Sequence, residues 1–429
     1  MRELERRFPS EIAIVGVHSG KFHAERDTER IREAVIRLGV AHPVLNDRQF
    51  RVWRSYAVNA WPTLQIVDPT GRVLGGHSGE FTADRLSPLI EQLAEAFDSA
   101  GKLARTHLAE KLDQPAIPPG LLRYPGKIEL DGERIAIADS GHHRVLVGRL
   151  SGDGMSARIE LVVGTGEPAF RDGMEGAFNS PQGMSIDGDT LYVADAGNHA
   201  VRTVDLGSGE IRTLTGTGHQ LRNTADLHTG AMSSPWDVAV ADGTLYIAMA
   251  GVHQIWSVEL DTGTGMRHSG SQREDIVDGQ HFDAALAQPM GVLAHGNKLY
   301  FADAESSAVR VADIEEDGSV ETVIGTGLFD FGDTDGSGDA VRMQHQQGIA
   351  RHRDGRLLIA DSYNDALKWV DPFTRRADTW VRGFHEPGGV ACGEKFAYVA
   401  DTNAHRIAVV EYESLENRAL TIIPMGGRQ

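Results

Sequence analysis

The chain has 429 residues, of which 41% are hydrophobic and 24% are charged, and these proportions exclude a disordered polyelectrolyte. A net charge of −19, with no run of Lys and Arg, disfavours nucleic acid and anionic membranes as partners, because the field of the molecule repels polyanions. The single cysteine, Cys392, excludes an intramolecular disulfide and a CxxC motif within the chain. We therefore expect a soluble, cytoplasmic protein of two domains that uses no cofactor.

The first hundred residues alternate strand and helix patterns in the order βαβαββα, which predicts an α/β sheet. The predicted strands are Glu11–Val17, His42–Asp47, Trp61–Asp68 and Arg72–Gly75. The predicted helices are Ala24–Leu38, Phe50–Val58 and Thr82–Phe97.

This region resembles a known fusion protein family. The segments VGVHSGKFHAERDTERIREAV, HPVLND and AWPTLQIVDPTGRVL are similar to the thioredoxin-like domain that is joined to NHL repeats in the family of NHL repeat-containing protein 2. The resemblance implies a thioredoxin-like domain over residues 1–98 and a cis peptide bond between Trp61 and Pro62, facing the redox site. An ordinary X-Pro strand start is the alternative interpretation of that dipeptide.

A thioredoxin fold carries its CxxC after a central strand and at the start of a helix, where the helix dipole lowers the thiol pKa. The opening RELERRF is similar to the second half of that helix, and neither the strand nor the CxxC precedes it. Two explanations are open. Either the strand is dispensable or replaced, or the natural chain begins several dozen residues upstream of Met1, and we favour the second as an expectation.

Residues 99–120 are predicted to form a helical and then proline-rich linker, since DQPAIPPG is stiff and typical of an interdomain connection. Over residues 121–429 a unit recurs six times, with LYVADAGNHAVR at Leu191–Arg202 as the clearest copy. Each copy begins near Pro-x-Gly and contains an Asp-Gly or similar hairpin turn, and its pattern predicts four short strands.

Six copies of a four-stranded unit predict an all-β propeller with six blades, and the motif resembles NHL repeats in detail. Ala419–Pro424 reads as the outer strand of the last blade. We therefore expect the ring to close by direct packing of blade six on blade one.

Five blades have an aspartate at the end of the Ala-Asp strand, at Asp139, Asp195, Asp303, Asp361 and Asp401, whereas blade three has Met249. A ring of acids could bind metal. We favour a structural role instead, in which each carboxylate accepts hydrogen bonds from backbone N–H groups two or three residues later.

Four residues further on, the blades have His143, His199, His253, Ser307, Asp365 and His405. Histidines in one register could bind a cation, but turns on different blades are too far apart to share one ion. We therefore predict no metal site.

Glycine-rich links between blades, such as Gly164-Thr165-Gly166, emerge on the same face as the histidine turns, and they do not open a helix as a nucleotide-binding loop does. This loop face is the predicted binding surface for a protein or small-molecule ligand. The candidate binding residues are His143, His199, His253, His405, Phe170, Trp236 and Phe329. For the aromatic residues, packing between blades is the competing interpretation.

No catalytic triad, carboxylate pair or HExxH motif is recognised, so no catalytic residue is predicted. The first hypothesis is a binding propeller tethered to a thioredoxin-like domain without redox cysteines. The second is a thiol-disulfide oxidoreductase whose CxxC lies upstream of Met1. A weaker third is a hydrolase or lyase that uses a metal in the central channel.

Overall fold

The computed structural model describes residues 1–79, 81–105, 120–221 and 230–426. The chain divides into two compact units, residues 1–118 and 119–429, and each is described by itself. The predicted linker at 99–120 lies largely outside the described residues. Its predicted helical start ends early, because the last helix of the first unit stops at Ser99. Among the described helices, none is long and apolar enough to cross a membrane.

The first unit contains the predicted order of elements; its first three strands are shorter than the sequence indicates, and its fourth is longer. Its helices are Arg2–Arg7, Thr28–Arg37, Arg51–Ser55 and Ala83–Ser99, and a 3₁₀ turn covers Ala24–Arg26. Its strands are Gly16–His18, Val44–Asn46, Thr63–Val67 and Val73–Ser78.

These four strands form two separate pairs in the described residues. Gly16–His18 runs parallel to Val44–Asn46, and Thr63–Val67 pairs antiparallel with Val73–Ser78. The Trp61–Pro62 peptide bond is cis. The Trp61 indole N–H donates to the Ser19 carbonyl at 2.8 Å, which joins the start of the second pair to the end of the first. A single sheet, as the βαβαββα order predicts, is therefore not formed by these residues.

The second unit is a six-bladed propeller in which each blade is an antiparallel sheet of four consecutive strands. From the axis outward, the strands of blades one and two are Ile128–Asp131, Arg134–Asp139, Arg144–Leu150, Ser156–Val163, and Pro181–Asp187, Thr190–Asp195, Ala200–Asp205, Ile211–Gly216. Those of blades three and four are Pro235–Ala241, Thr244–Met249, Gln254–Glu259, Gly265–Ser269, and Pro289–His295, Lys298–Asp303, Ala308–Asp313, Ser319–Ile324. Those of blades five and six are Gly348–Arg351, Leu357–Asp361, Ala366–Asp371, Arg376–Arg382, and Pro387–Cys392, Phe396–Asp401, Arg406–Glu411, Asn417–Ala419.

Apolar side chains from neighbouring blades form the core. Blades one and two, for example, pack Val145, Leu191 and Val193 together, all fully buried. Alternation along each strand places one set of side chains against the preceding blade and the other against the following blade. The core is therefore a ring of six interblade layers.

Added segments cover the outer edges of several blades. Gly279–Gln280 and Gly336–Ser337 pair with the outer strands of blades four and five, and Gly173 bridges to Ile211 in blade two. Each segment belongs to the link that precedes the blade it covers. Pairing of this kind protects strand edges that would otherwise present unpaired N–H and C=O groups.

The ring closes differently from the sequence expectation. Asn417–Ala419 is the outer strand of blade six, but Thr421–Ile423 leaves that blade and pairs parallel with Ser156–Arg158 of blade one. The end of the propeller is therefore hydrogen-bonded to its first blade. Direct packing of blade six on blade one also occurs, because Ile407 and Val409 share a core with Ile128 and Ile137.

Candidate functional site

The five predicted aspartates lie under the loop face, and all are fully buried. Each accepts a backbone N–H at 2.6–2.8 Å from a residue sixteen or, for Asp361, seventeen positions earlier, in the loop that leads into the same blade. The backbone donor is thus not two or three residues later, as the sequence analysis expected. In blades one, two, four and five, the side chain three residues later also contacts the carboxylate; these residues are His142, Asn198, Ser306 and Asn364.

Three blades place a cation inside the blade near the acid, and in blades two and four this cation pairs with the acid directly. Arg202, Arg310 and Lys368, seven residues after their aspartates, are fully buried. Arg202 Nη1 lies 2.8 Å from Asp195 Oδ2, and Arg310 Nη1 lies 3.4 Å from Asp303 Oδ2. Buried charges of this kind persist only where they are paired and hydrogen-bonded.

Each of these three cations also holds the glycine-rich link of its own blade. Asp172, Asp278 and Asp335 contact Arg202, Arg310 and Lys368 at 2.5, 3.0 and 2.7 Å. Each of these link aspartates also accepts the hydroxyl of a threonine in the outer strand, at 2.7–2.9 Å. The recurring Asp-Gly element therefore attaches each link to its blade, through the buried cation and the outer strand.

Blades one and six place the cation elsewhere. Arg144 and Arg406 follow their aspartates by five residues and bind them through Nε at 2.8 Å. Their side chains are 25% and 34% exposed, in contrast to the fully buried cations of the other blades.

Blade three has lost both partners of the ion pair. Met249 replaces the aspartate, and its sulfur receives the Ser233 N–H at 3.4 Å. Gln254 and Trp256 replace the cation and bond to each other at 2.9 Å. Replacing both charges together avoids a buried unpaired ion, which is the costly outcome.

The histidine register forms contacts between blades. The Nδ1 atoms of His143, His199, His253 and His405 accept backbone N–H groups of Ser180, Ser234, Gln288 and Tyr124, at 3.0–3.2 Å. Ser307 Oγ and Asp365 Oδ1 accept the equivalent N–H groups of His345 and Glu386 at 3.2 and 3.0 Å. We call these six contacts the interblade latches, and each joins one blade to the start of the next. The turns of the loop face are thereby held in a fixed arrangement.

The latches predict a pH dependence. Burial lowers the pKa of His253, whose neutral Nδ1 must accept the Gln288 N–H. A group with a lowered folded pKa contributes stability that is present above its unfolded pKa, about 6.5, and is lost as pH falls. We expect the stability advantage of the wild type over His253→Ser to shrink between pH 7.5 and 5, as measured by urea unfolding. Serine is the matched replacement, because Ser307 already serves blade four. An advantage that is constant over this range would contradict the role of the neutral ring.

The central channel contains a charged cluster that the sequence analysis missed. A cavity of about 320 Å³ on the axis is lined by the inner strands of all six blades. The Lys127 ammonium donates to Asp237 Oδ2 at 2.7 Å and to the carbonyls of Met290 and Gln347 at 2.6 and 2.8 Å. Burial lowers the pKa of Lys127 and raises that of Asp237, and their direct contact opposes both shifts. The three ammonium protons are thus all used, and the contact joins blades one, three, four and five.

The sequence did contain a signal for this cluster. Lys127 and Asp237 occupy the third position of the Pro-x-Gly element, where the other four blades have Gly183, Gly291, Gly348 and Gly389. A Cβ at Gly183 would lie 1.9 Å from Asp237 Oδ1, and one at Gly389 would lie 2.8 Å from Lys127 Cα. Two charged residues in a register of glycines therefore mark where side chains enter the centre of the ring.

The aromatic candidates occupy different environments. Trp236 is partly buried and packs on Ala250, Met290 and Ala304, in agreement with the packing interpretation. The ring of Phe170 is 41% exposed and lies 4.9 Å from the Arg202 guanidinium. Phe329, in the link before blade five, is 67% exposed. Phe329 is therefore the most exposed side chain of the three.

No group of three or more His, Cys, Asp and Glu side chains in the described residues is placed to hold a metal ion. The channel offers Asp237, which Lys127 already neutralises, and Glu129, whose pKa burial raises to about 8. These residues do not fit a divalent cation, which prefers ionised carboxylates.

Comparison with known proteins agrees with this architecture. An NHL repeat model matches residues 178–203, in blade two. NHL repeat-containing protein 2 of Bos taurus is 36% identical over 96% of this chain and 63% of its own length, and the Homo sapiens protein is 35% identical with the same coverage. The Arabidopsis thaliana protein SUPPRESSOR OF QUENCHING 1, chloroplastic, is 33% identical over 97% of this chain and 43% of its own length. The chain thus spans less than two thirds of each of these relatives, and it belongs to the NHL-repeat proteins as a homologue of NHL repeat-containing protein 2.

Proposed function

We propose that the chain is a binding protein whose propeller presents its loop face to a protein or small-molecule ligand, and that the first unit is a thioredoxin-like domain without redox cysteines. The observation that carries this proposal is the set of six interblade latches, which fix the turns of the loop face all around the ring. A surface fixed before binding loses little conformational freedom when a ligand arrives. Binding sites are commonly built on loops held by such a scaffold.

The apolar part of this surface can be tested with a matched pair of variants. Phe329 lies in the link that leaves the loop end of blade four, whereas Phe373 lies in a third-to-fourth-strand turn, at the opposite end of blade five. Their exposed fractions are 67% and 86%. We expect Phe329→Ser to lose most of the proteins enriched from an extract of the source cells, and Phe373→Ser to retain them. Equal loss or equal retention in the two variants would count against the loop face as the binding surface.

The oxidoreductase hypothesis needs cysteines that this chain does not contain. Burial raises the pKa of the Cys392 thiol to about 12, so this thiol is a poor nucleophile at neutral pH. We expect the chain to show no reduction of insulin disulfides. Activity that appears only when codons upstream of Met1 are added, and that disappears when an added cysteine is replaced by serine, would favour the oxidoreductase over a binding protein.

The metal-dependent hypothesis is the weakest, because the Lys127 ammonium already pairs with the Asp237 carboxylate on the axis. Titration with zinc, followed by calorimetry, is expected to give no binding in the channel.

We also infer a cytoplasmic location from the single cysteine, and cell fractionation tests it. A plastid location, which the name of the Arabidopsis relative states for that protein, is the outcome that would replace it.

A further inference from the structure

A basic cluster lies on the loop face where blade six meets blade one, although the molecule as a whole is strongly acidic. We call it the blade six–one corner, and it consists of Arg123, His142, His143, Arg144, His405 and Arg406. The turns of blades one and six supply all of these residues except Arg123, which comes from the loop that leads into blade one. The sequence analysis found no run of basic residues, because these six are scattered over almost 300 positions.

Among the residues that the structure describes, Arg123 is the arginine at this corner that forms no ion pair with an acid. Its backbone N–H binds Asp139 and its carbonyl accepts the Gly141 N–H, so the main chain is fixed over the turn of blade one. Its side-chain Nε–H is buried and has no hydrogen-bond partner among the described residues. Burial lowers the pKa of both His143 and His405, which lie in the turns of adjacent blades, and the positive charge of Arg123 adds to this lowering. Arg123 is therefore near both turns, and an anion bound there would satisfy it.

Arg144 and Arg406 add two further guanidinium groups. The aspartate beneath each turn can be neutralised from inside the blade, as Arg202 does for Asp195 with a side chain that is fully buried. Blades one and six instead use an arginine two positions earlier, which is 25% or 34% exposed. At that position blades two, four and five have the buried alanines Ala200, Ala308 and Ala366. Folding of a blade does not need the exposed arrangement, so its presence in two neighbouring blades points to a ligand.

The acids near the corner do not cancel it. Asp139 and Asp401 are buried beneath the turns and are already paired with Arg144 and Arg406. Glu167, in the next link, lies near enough to His143 for its charge to oppose the lowering of the pKa of that histidine, but among the described residues no ion pair joins it to Arg123. The two paired aspartates are buried, so on the exposed side of the corner the guanidinium groups of Arg123, Arg144 and Arg406 stand against Glu167.

We propose that the blade six–one corner is a binding site for a single small oxyanion, a carboxylate or phosphate group, with Arg123 as its principal ligand-binding residue. Guanidinium groups recognise such anions through paired, charge-assisted hydrogen bonds. The net charge of −19 repels polyanions, so the site suits one anionic group and not a nucleic acid. This inference rests on the proposed binding role of the loop face and names the chemistry that one part of it recognises.

Titration of the full chain with sodium phosphate and with sodium acetate at constant ionic strength tests the proposal, with calorimetry or thermal shift as the readout. We expect saturable binding of at least one of the two anions, and about tenfold or greater weakening in Arg123→Gln. Arg212→Gln is the matched control, since that arginine is 71% exposed in blade two and forms an ion pair with the neighbouring Glu210. A preference for phosphate or acetate identifies which anion the site takes.

Arg123→Lys keeps the charge and removes the planar fork, so we expect binding between that of the wild type and Arg123→Gln. Circular dichroism of both variants checks that they fold, and Arg123→Lys carries the test if Arg123→Gln does not. Absence of saturable binding in the wild type, or equal binding in wild type and Arg123 variants, would overturn the anion site. Neither result depends on Phe329, so the outcome can be separated from failure of the loop-face proposal.

Discussion

Replacing Asp195 with alanine is expected to lower the free energy of unfolding of the propeller by about 3–5 kcal/mol, because the change removes the fully buried acid that pairs with Arg202 and leaves that charge with the half-exposed Asp172. Asp195 and Arg202 are both fully buried, and their atoms Oδ2 and Nη1 lie 2.8 Å apart. The carboxylate also accepts the Asn179 N–H and the Asn198 amide, at 2.7 Å each. Alanine removes all three contacts and adds a small cavity.

The double variant Asp195→Met with Arg202→Met separates the cost of an unpaired charge from the cost of a lost contact. Both charges are then absent, as they are in blade three, where Met249 stands in the aspartate position. We expect the double variant to be more stable than Asp195→Ala alone. Urea unfolding monitored by tryptophan fluorescence gives the comparison.

An exposed ion pair provides the control. Arg212 and Glu210 are 71% and 35% exposed at a distance of 2.8 Å, and Glu210→Ala is expected to change stability by less than about 1 kcal/mol. The interpretation is wrong if Asp195→Ala costs no more than Glu210→Ala, or if the double variant is the least stable of the three.

The blades could be predicted from the sequence because their signals are local. Alternating apolar residues, Asp-Gly turns and the Ala-Asp ending recur within each copy, so six copies indicate six sheets without knowledge of their packing. The same locality predicted the helices Thr28–Arg37 and Ala83–Ser99 to within a few residues at most ends. The first strand of this unit was overestimated, since Gly16 and Val17 are the only residues of the predicted Glu11–Val17 that belong to the paired strand Gly16–His18.

The contacts that fix the propeller could not be predicted in the same way, because they join positions that are distant in the sequence. The Tyr124 N–H reaches His405, and the Lys127 ammonium reaches Gln347. From the sequence alone, Arg202 and Arg144 could equally be ordinary polar residues on the exposed side of a strand. Alignment of the six copies does reveal positions at which one blade differs from the others, such as Asp237 where most blades have glycine. This difference was the sequence signal for the charged cluster in the channel.

Glu129 in the channel wall gives the second large effect, which depends on pH. Burial, assisted by the negative charge of Asp237, raises the pKa of Glu129 from 4.5 to about 8. A carboxyl group with a raised folded pKa contributes stability that is fully present below its unfolded pKa, and this stability is lost as pH rises through about 8. The wild-type propeller therefore carries the cost of ionising a buried carboxyl group at alkaline pH.

Glu129→Gln removes this ionisation and keeps the size and polarity of the side chain. We expect the free energies of unfolding of the variant and the wild type to differ little at pH 5. Between pH 5 and 9 the free energy of unfolding of the variant should rise relative to that of the wild type by about 2–5 kcal/mol. The upper end applies if the channel excludes water, and the lower end applies if water enters and screens the charge. Glu160→Gln, at an exposed position in the outer strand of blade one, should show a flat difference across the same range. If the difference in free energy of unfolding is also independent of pH for Glu129→Gln, the carboxyl group is ionised at neutral pH. Glu129 would then be a second negative charge on the axis, beside the pair of Lys127 and Asp237.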